Sequence, residues 1–571
     1  MVAAAMLSAT SCTDFSDYND TYIDGNASAD RTLWENINGD SNLSQFASLL
    51  TKAGYDKILN SANSFTVWAP VNGSFDMTQY ESLDSAKLVQ QFVKNHIANY
   101  NYIVSGVWST PKRIRTLNNK SYDFANNGTC TFDGLNVTAT NIAGNNGVMH
   151  KIDGVAPYYP NILDFFSDTT TVKSLGIDSV AAYFNKYNES YLDESKSVVG
   201  PIVNGKQTYI DSVMVTYNTL ANRLRARISD EDSSYTVLLP TNAAWKAELS
   251  KAADAYKLKQ YIPYRGVDGN NTVVDQVYTV SKVNYLKDSL AHESLAQMLV
   301  FSNNDTYNEG FLANSFSGTD SVRTPTKTKF SSPANLLLHV NSKVGMSNGM
   351  GLVMDTLAYN SWDTYCYERS FTPTSSNVIK VTLGSASRTS VTFTDKLRNS
   401  ETVSWYNVQP SGTNSPKVEV LLPDVTSGTY SVYVVLAPPY STASAAIDTL
   451  PNKYKFTMYY SQVGENTTTT TTLRFSADGA INPSQNKQKA FVVDNSYSRR
   501  FDENGKALPD TMKVGEITLP VSYASTGVGP SLLIETNVKL TERSKYSREI
   551  RLMKVLLRPV SKGDYNATKE D

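Results

Sequence analysis

Thr66-Val67-Trp68-Ala69-Pro70-Val71-Asn72-Gly73-Ser74-Phe75 and Thr236-Val237-Leu238-Leu239-Pro240-Thr241-Asn242-Ala243-Ala244-Trp245 are one phrase written twice. Thr, Val, Pro, Asn and a closing aromatic stay in register between the copies. Each reads as a buried strand, Phe65 to Trp68 and Tyr235 to Leu239, stopped by proline. The Asn that follows starts a turn or caps a helix, and the aromatic anchors what comes next. A long-period repeat of this kind predicts two copies of one domain.

A second phrase supports the duplication. Asn146-Gly147-Val148-Met149-His150-Lys151-Ile152-Asp153 corresponds to Asn348-Gly349-Met350-Gly351-Leu352-Val353-Met354-Asp355, each an Asn-Gly turn feeding an apolar strand that ends in Asp. The two phrases stand 80 residues apart in the first copy and 112 in the second, so the second carries extra chain that must loop out of a shared framework. A histidine lies between them each time: His96 follows Thr66 by 30 residues and His292 follows Thr236 by 56. Most of the extra chain therefore falls before His292, around Tyr264 to Asn284, and is expected to be a surface excursion. A further strand-like insert runs from Gln207 to Tyr217.

These phrases, with the helix Leu43 to Leu59 before them and the strand pairs around Leu117 to Phe124 and Phe132 to Ile142, resemble the fasciclin (FAS1) domain. The resemblance spans roughly residues 30 to 165 in the first copy; in the second it rests on the two phrases alone. It implies two α+β fasciclin-like domains. Some eukaryotic fasciclin domains adhere through a Tyr-His pair; here His96 follows Asn95, so that pair is absent.

Beyond about residue 368 the texture changes to short alternating runs. They are Val378 to Leu383, Ser390 to Phe393, Thr402 to Asn407, Lys417 to Leu421, Thr429 to Leu436, Lys455 to Tyr460, Leu473 to Phe475, Gln488 to Val493, Val514 to Leu519, Ser531 to Thr536 and Ile550 to Arg558. Turn chemistry such as Thr426-Ser427-Gly428 and Glu503-Asn504-Gly505 separates them, which predicts an antiparallel, jelly-roll-like all-β sandwich. Leu422 to Val435 and Ile550 to Pro559 are similar to strands of jelly-roll carbohydrate-binding modules; a plain spacer sandwich fits the same residues. Trp405-Tyr406 and Tyr459-Tyr460 are the candidate glycan-binding aromatics. Neighbours on a strand face opposite ways, so one of each pair is expected in the core and the other outward, where it stacks on a sugar or simply covers the sheet.

Residues 1 to 12, Met1-Val2-Ala3-Ala4-Ala5-Met6-Leu7-Ser8-Ala9-Thr10-Ser11-Cys12, look like the tail of a bacterial lipoprotein signal. That likeness implies cleavage before Cys12 and acylation of Cys12 as a membrane anchor. No Lys or Arg precedes the apolar run, and an idle cysteine in an unstructured terminus is the alternative. Asp14, Asp17 and Asp20 follow in an acidic tether over residues 13–29, which resembles the signal that sends Bacteroidota lipoproteins to the outer face of the outer membrane.

Lys plus Arg number 52 against 54 Asp plus Glu, a net charge of −2, so the electrostatic attraction on which nucleic-acid binding depends is missing. No other segment reaches the ~18 apolar residues of a spanning helix. Cys130 and Cys366 lie in different repeats and read as free thiols. Nothing in the sequence assembles a catalytic or metal constellation: His96, His150, His292 and His339 are not paired at ligand spacing, and HExxH, GxSxG, P-loop, GxGxxG and CxxC patterns are absent. Asp268 to Asn271 and Asp502 to Gly505 read as turns rather than calcium loops. No cofactor, metal or catalytic residue is expected.

The expected organisation is a signal tail (1–12), a tether (13–29), a first fasciclin-like domain (30–165), a second with insertions (166–367) and a β-sandwich (368–571). The expected function is that of a non-enzymatic, outer-membrane, surface-facing lipoprotein, an accessory to a SusC/SusD-like glycan importer that binds polysaccharide or oligosaccharide. Adhesion to host or neighbouring cells through the fasciclin domains is the alternative.

Overall fold

β1 (Phe65–Pro70) carries the first copy of the duplicated phrase and is buried at every residue. An apolar run without alternation suits a strand covered on both faces. The computed structural model describes residues 30–195, 197–274, 279–393, 401–437, 450–462, 469–494 and 510–565. Within it β1 joins β2 (Ile97–Asn99), β3 (Lys112–Arg115), β4 (Ser121–Asn126), β5 (Cys130–Phe132), β6 (Leu135–Gly144) and β7 (Gly147–Ile152) in the order β2-β1-β7-β6-β5-β4-β3. β1 runs parallel to β7, pairing Phe65 with Gly147 through Pro70 with Ile152. Phe65, Val67 and Ala69 face a helical core with Leu33, Phe46 and Phe92. Trp68 turns the other way, into an aromatic core, and stacks on Phe132 at 4.3 Å.

The first repeat opens with α1 (Leu33–Asn38), capped by Thr32 and Glu35 in a capping box. α2 (Ile162–Ser167) opens the second, with Asn161 and Asp164 in the same roles. A two-hairpin ribbon follows: β8 (Asn188–Leu192), β9 (Val198–Val203), β10 (Lys206–Asp211) and β11 (Met214–Asn218), with β8 paired to β11 and β9 to β10. The insert read at Gln207 to Tyr217 is the returning half of this ribbon.

β12 (Tyr235–Pro240) carries the second copy of the phrase and is again buried throughout. Then come α3 (Asn242–Ala255), β13 (Ile262–Arg265), β14 (Asn271–Val274), α4 (Val280–Ala296), β15 (Val300–Ser302), β16 (Ser321–Arg323), β17 (Lys329–Ser331), β18 (Val340–Met346) and β19 (Gly349–Met354). The sheet order is β15-β12-β19-β18. The helix cap after this phrase is Thr241, whose hydroxyl accepts the Ala244 N–H; Asn242 is the first helical residue.

The Asn-Gly phrases repeat down to individual hydrogen bonds. Asn146 Oδ1 accepts the Leu33 N–H at the start of α1 (2.8 Å), while its Nδ2 donates to the carbonyls of Leu59 (2.8 Å) and Ser61 (2.7 Å). Asn348 Oδ1 accepts the Ile162 N–H at the start of α2 (3.0 Å), and its Nδ2 donates to Ile228 (2.9 Å) and Asp230 (3.1 Å). The structure corrects one detail: the turn residues are Asn145-Asn146 and Ser347-Asn348, and each glycine opens the strand that follows. Glycine is needed there for close approach, since a Cβ on Gly147 would lie 2.0 Å from the Phe65 carbonyl oxygen and one on Gly349 2.0 Å from that of Tyr235.

The chain divides into two compact units. One holds residues up to Leu239 with Ser302–Thr306 and Ser342–Val353; the other holds Pro240–Phe301, Tyr307–Asn341 and the chain from Met354 onward.

In the second unit, β20 (Arg369–Phe371), β21 (Val378–Thr382), β22 (Gly384–Phe393), β23 (Glu401–Pro410), β24 (Lys417–Leu421), β25 (Gly428–Leu436), β26 (Asn452–Tyr460), β27 (Thr471–Phe475), β28 (Phe491–Val493), β29 (Asp510–Leu519), β30 (Ser531–Thr536) and β31 (Ile550–Pro559) form two sheets. Their orders are β22-β23-β31-β25-β29 and β21-β24-β30-β26-β27, with β20 added to β31 and β28 to β26. From β23 the chain crosses repeatedly between sheets, and β31 returns beside β23, a jelly-roll arrangement. One apolar core with residues from both sheets, among them Val432, Val434, Phe456 and Ile534, lies between them. The predicted strands match the observed ones closely because alternation and turn residues are local signals.

The expected surface excursion around Tyr264 to Asn284 is exposed over much of its described length, Val267 and Val280 included, and is anchored to this unit at its base. β13 and β14 form a hairpin, and the chain from Val280 is helix α4. Ile262 is fully buried with Tyr523 and Val528 of the sandwich chain, and Ser461 Oγ donates to the Pro263 carbonyl at 2.6 Å. Apolar and hydrogen-bonding surface on both partners makes covering the hairpin more favourable than solvating it.

Candidate functional site

The aromatic pairs read as glycan platforms sit on opposite sheets. Trp405, on β23, is 5 % exposed, and Tyr406 beside it packs against the inter-sheet core. Tyr460, on β26, also packs against that core, so Tyr459 is the outward member of its pair. The Arg265 guanidinium of β13 lies over the Tyr459 ring at 4.4 Å and forms a two-pronged pair with Glu419, Nε to Oε1 at 3.0 Å and Nη2 to Oε2 at 3.2 Å. The fold thus does not bring these four side chains together. Cys12, the acidic tether and the Asp502 to Gly505 turn lie outside the described residues.

Two histidines are structural. His96 is fully buried, donates from Nδ1 to the Phe92 carbonyl (2.7 Å) and accepts the Ala156 N–H at Nε2 (3.0 Å). His150, also fully buried, donates from Nε2 to the Tyr102 carbonyl (2.9 Å) and accepts the Asn141 N–H at Nδ1 (3.3 Å). Burial pushes each down to about 4, against the opposing pull of its carbonyl partner. His292 lies on α4, with its ring 5.9 Å from Trp245 of α3, and His339 pairs with Asp355 at 3.2 Å. Cys130 and Cys366 are both half-buried free thiols, held up by burial, Cys130 to about 11. Among the described residues no three His, Cys, Asp or Glu side chains gather as a metal site, and no helix is long and apolar enough to cross a membrane.

What sequence reasoning missed lies in the first unit. The turn between β3 and β4, Thr116-Leu117-Asn118-Asn119-Lys120, folds inward. Asn118 Oδ1 accepts the Thr116 hydroxyl (2.6 Å), and its Nδ2 donates to Gln90 O (2.9 Å) and Asn95 Oδ1 (2.6 Å). Tyr122 OH also donates to Asn95 Oδ1, and Asn95 Nδ2 donates to Ala156 O at 2.8 Å. At the end of the turn, Lys120 Nζ reaches Glu231 (2.7 Å), Asp164 (3.0 Å) and Ser347 Oγ (3.3 Å). Asp164 also accepts from Tyr158 OH (3.2 Å), and Glu231 from Asn161 Nδ2 (3.1 Å). Burial, then the neighbouring Asp164 charge, pushes the Tyr158 phenol far above its ordinary range. A buried charge is tolerable only when paired and hydrogen-bonded, as here.

Against this network lies a cavity of about 590 Å³, within the range of small-ligand sites. Gln90 and Lys94 line it from the segment before β2, Asn99, Tyr100 and Tyr102 from the end of β2 and the chain after it, Arg115 to Asn119 from the end of β3 and the turn, Asn161 and Asp164 from the start of the second repeat, and Glu231 from the chain before β12. Ser212 to Thr216 of the ribbon close another wall. Amides, hydroxyls, two tyrosines and charges of both signs suit reversible binding of a polar ligand. The residues span positions 90 to 231, so no local pattern marks them; the one available signal is Lys120, a charge placed between a polar turn and the strand that buries Tyr122 and Phe124.

Residues 41–156 match the family model of the fasciclin domain, so the first repeat contains a fasciclin domain. No curated protein sequence matches the chain. A FAS1 domain pair from the insect cell adhesion molecule fasciclin I aligns with 57 % of this chain and 98 % of its own, at 16 % identity and a TM-score of 0.21. A Paenibacillus xanthan lyase aligns with 39 % of this chain and 18 % of its own, at 13 % identity and a TM-score of 0.19. An α-L-fucosidase from Vibrio sp. strain EJY3 aligns with 34 % and 36 %, at 10 % identity and a TM-score of 0.12.

Proposed function

We propose that the chain is a non-enzymatic recognition protein of the cell exterior, anchored to the outer membrane by acyl chains on Cys12, that captures a small polar ligand in the cavity of its first unit. The observation that carries this reading is the cavity of about 590 Å³, whose polar walls are held by the hydrogen-bonded turn Thr116 to Lys120. Walls fixed before the ligand arrives reduce the ordering cost of binding. Beside a SusC/SusD-like importer such a protein acts as an accessory: a tethered, weak binder raises the local concentration of cargo without tight affinity.

Adhesion is the second reading, favoured by the ribbon β8 to β11, which exposes Tyr191, Val199, Ile202, Val203 and Met214.

The test is titration calorimetry of the full chain with extracellular oligosaccharides, alongside Thr216→Trp, which fills the cavity from its ribbon wall. Heat with the parent and none with the variant supports capture. Equal heat with both, or capture of a cell-surface protein through the ribbon with no small ligand bound, overturns it. Cys12→Ala releases the chain from membranes if the anchor is right; retention refutes the anchor.

A further inference from the structure

Tyr100 lines the cavity, is 74 % exposed and has a backbone φ of +71°. A bulky side chain seldom occupies this left-handed region, and such strain persists only where neighbours over-determine it. They do so here. The Tyr100 N–H donates to Ser64 O (3.1 Å), its carbonyl accepts the Thr66 hydroxyl (2.6 Å), and Thr66 Oγ1 in turn accepts the Tyr102 N–H (2.8 Å). Thr66 itself is fully buried. The bend pinned in this way leaves an aromatic ring in solvent at the margin of the polar cavity.

The second repeat shows that the framework does not demand this. Asn303 takes the corresponding place: its N–H donates to Ser234 O (2.9 Å), and the Thr236 hydroxyl bonds to its side-chain Oδ1 (2.8 Å). Asn303 is not among the positive-φ residues. The strained, exposed aromatic belongs to the first copy alone.

The charges around the cavity are already matched. Asp164 and Glu231 are held by Lys120, and Arg115 pairs with Asp232 at 2.7 Å. Lys94, the remaining charged group of the lining, is 7 % exposed. A ligand bringing a phosphate or carboxylate would find its counter-charge occupied. The amides of Gln90, Asn99 and Asn119 offer donors and acceptors together, beside the open face of Tyr100. From this arrangement, and resting on the ligand-capture reading above, we infer that the cavity takes an uncharged saccharide, one pyranose ring stacked on Tyr100 and its hydroxyls bonded to the amides. A pyranose has the apolar C–H face and the dense neutral hydroxyls that this surface matches, and tyrosine supplies a rigid plane at low entropic cost.

The experiment uses the full chain with a panel of neutral and anionic oligosaccharides, and compares Tyr100→Ala, Tyr100→Phe and Tyr100→Asn. A neutral saccharide is expected to bind the parent. Tyr100→Ala and Tyr100→Asn should weaken it about tenfold or more, with the melting temperature near the parent's for alanine, which keeps a Cβ in the left-handed region, and unchanged or raised for asparagine, which tolerates that region better, while Tyr100→Phe stays within about threefold. Bound saccharide should also slow nitration of Tyr100. Undiminished saccharide binding by Tyr100→Ala overturns the Tyr100 assignment and leaves the capture reading standing. Binding of anionic oligosaccharides only overturns the ligand class. No small ligand bound by the parent removes the capture reading and this inference with it.

Discussion

Lys120 and Glu231 stand 111 positions apart and meet at 2.7 Å with both side chains 4 % exposed. Asp164, 36 % exposed, shares the same ammonium. Lys120→Ala leaves two carboxylates facing each other across a buried gap and is expected to cost about 3–5 kcal/mol. The double replacement Lys120→Met with Glu231→Leu removes the buried pair as a unit and should recover most of that loss. Chemical denaturation with hydrogen exchange on β1 as the readout of the first unit distinguishes them; equal stability of parent and Lys120→Ala would contradict the pairing.

Asn146→Ala removes three side-chain hydrogen bonds and leaves the first N–H of α1 and two inner carbonyls without that partner. A loss of about 2–4 kcal/mol is expected, and Asn348→Ala should cost a similar amount at the start of α2. Asn146→Asp keeps the acceptor and forfeits both donors, so it should not rescue. Urea midpoints of the three variants test this.

Acid should loosen the first unit before its carboxylates titrate. His96 and His150 fall to about 4 when folded, against 6.5 ordinarily, so between these values the unfolded chain binds more protons than the native one. Their contribution is therefore complete above pH 6.5 and is lost as pH falls towards 4, on the order of 3 kcal/mol for each histidine at the limit. Denaturation midpoints between pH 7 and 5 should decline; a flat profile would show that the rings are not held neutral.

Arg265→Ala should act at two places in the second unit. Glu419, 3 % exposed, keeps the Ser531 hydroxyl at 2.7 Å but loses its guanidinium, which is expected to cost about 3–5 kcal/mol. The same change uncovers the Tyr459 ring. If Tyr459 has any capacity to stack on sugar, an affinity gel should detect retardation in Arg265→Ala that the parent lacks.

The parts of the fold that were legible in the sequence are those with local causes. The strands of the sandwich emerged from alternation and turn residues, and the duplication from Thr66 and Thr236, Pro70 and Pro240, Asn146 and Asn348. The Asn-Gly phrases were legible as turns, but their glycines serve a non-local need, the close approach of the Phe65 and Tyr235 carbonyls from a neighbouring strand. The excursion around Tyr264 is legible as surface chain from its Tyr, Val and Asn, but its anchoring is not, because the Glu419 carboxylate that holds Arg265 and the Tyr523 and Val528 side chains around Ile262 lie far away in sequence.

By itself the sequence determined the duplicated strand phrases at Thr66 and Thr236 and the alternating strands beyond residue 368, because buried periodicity, proline stops and turn chemistry act over a few residues. Only the tertiary structure decided which side chains meet: that Arg265 covers Tyr459, that Lys120 is neutralised by Glu231 and Asp164, and that a strained Tyr100 borders a polar cavity. Burial and charge pairing depend on distances across the folded chain, and those are created by the packing of segments a hundred or more residues apart.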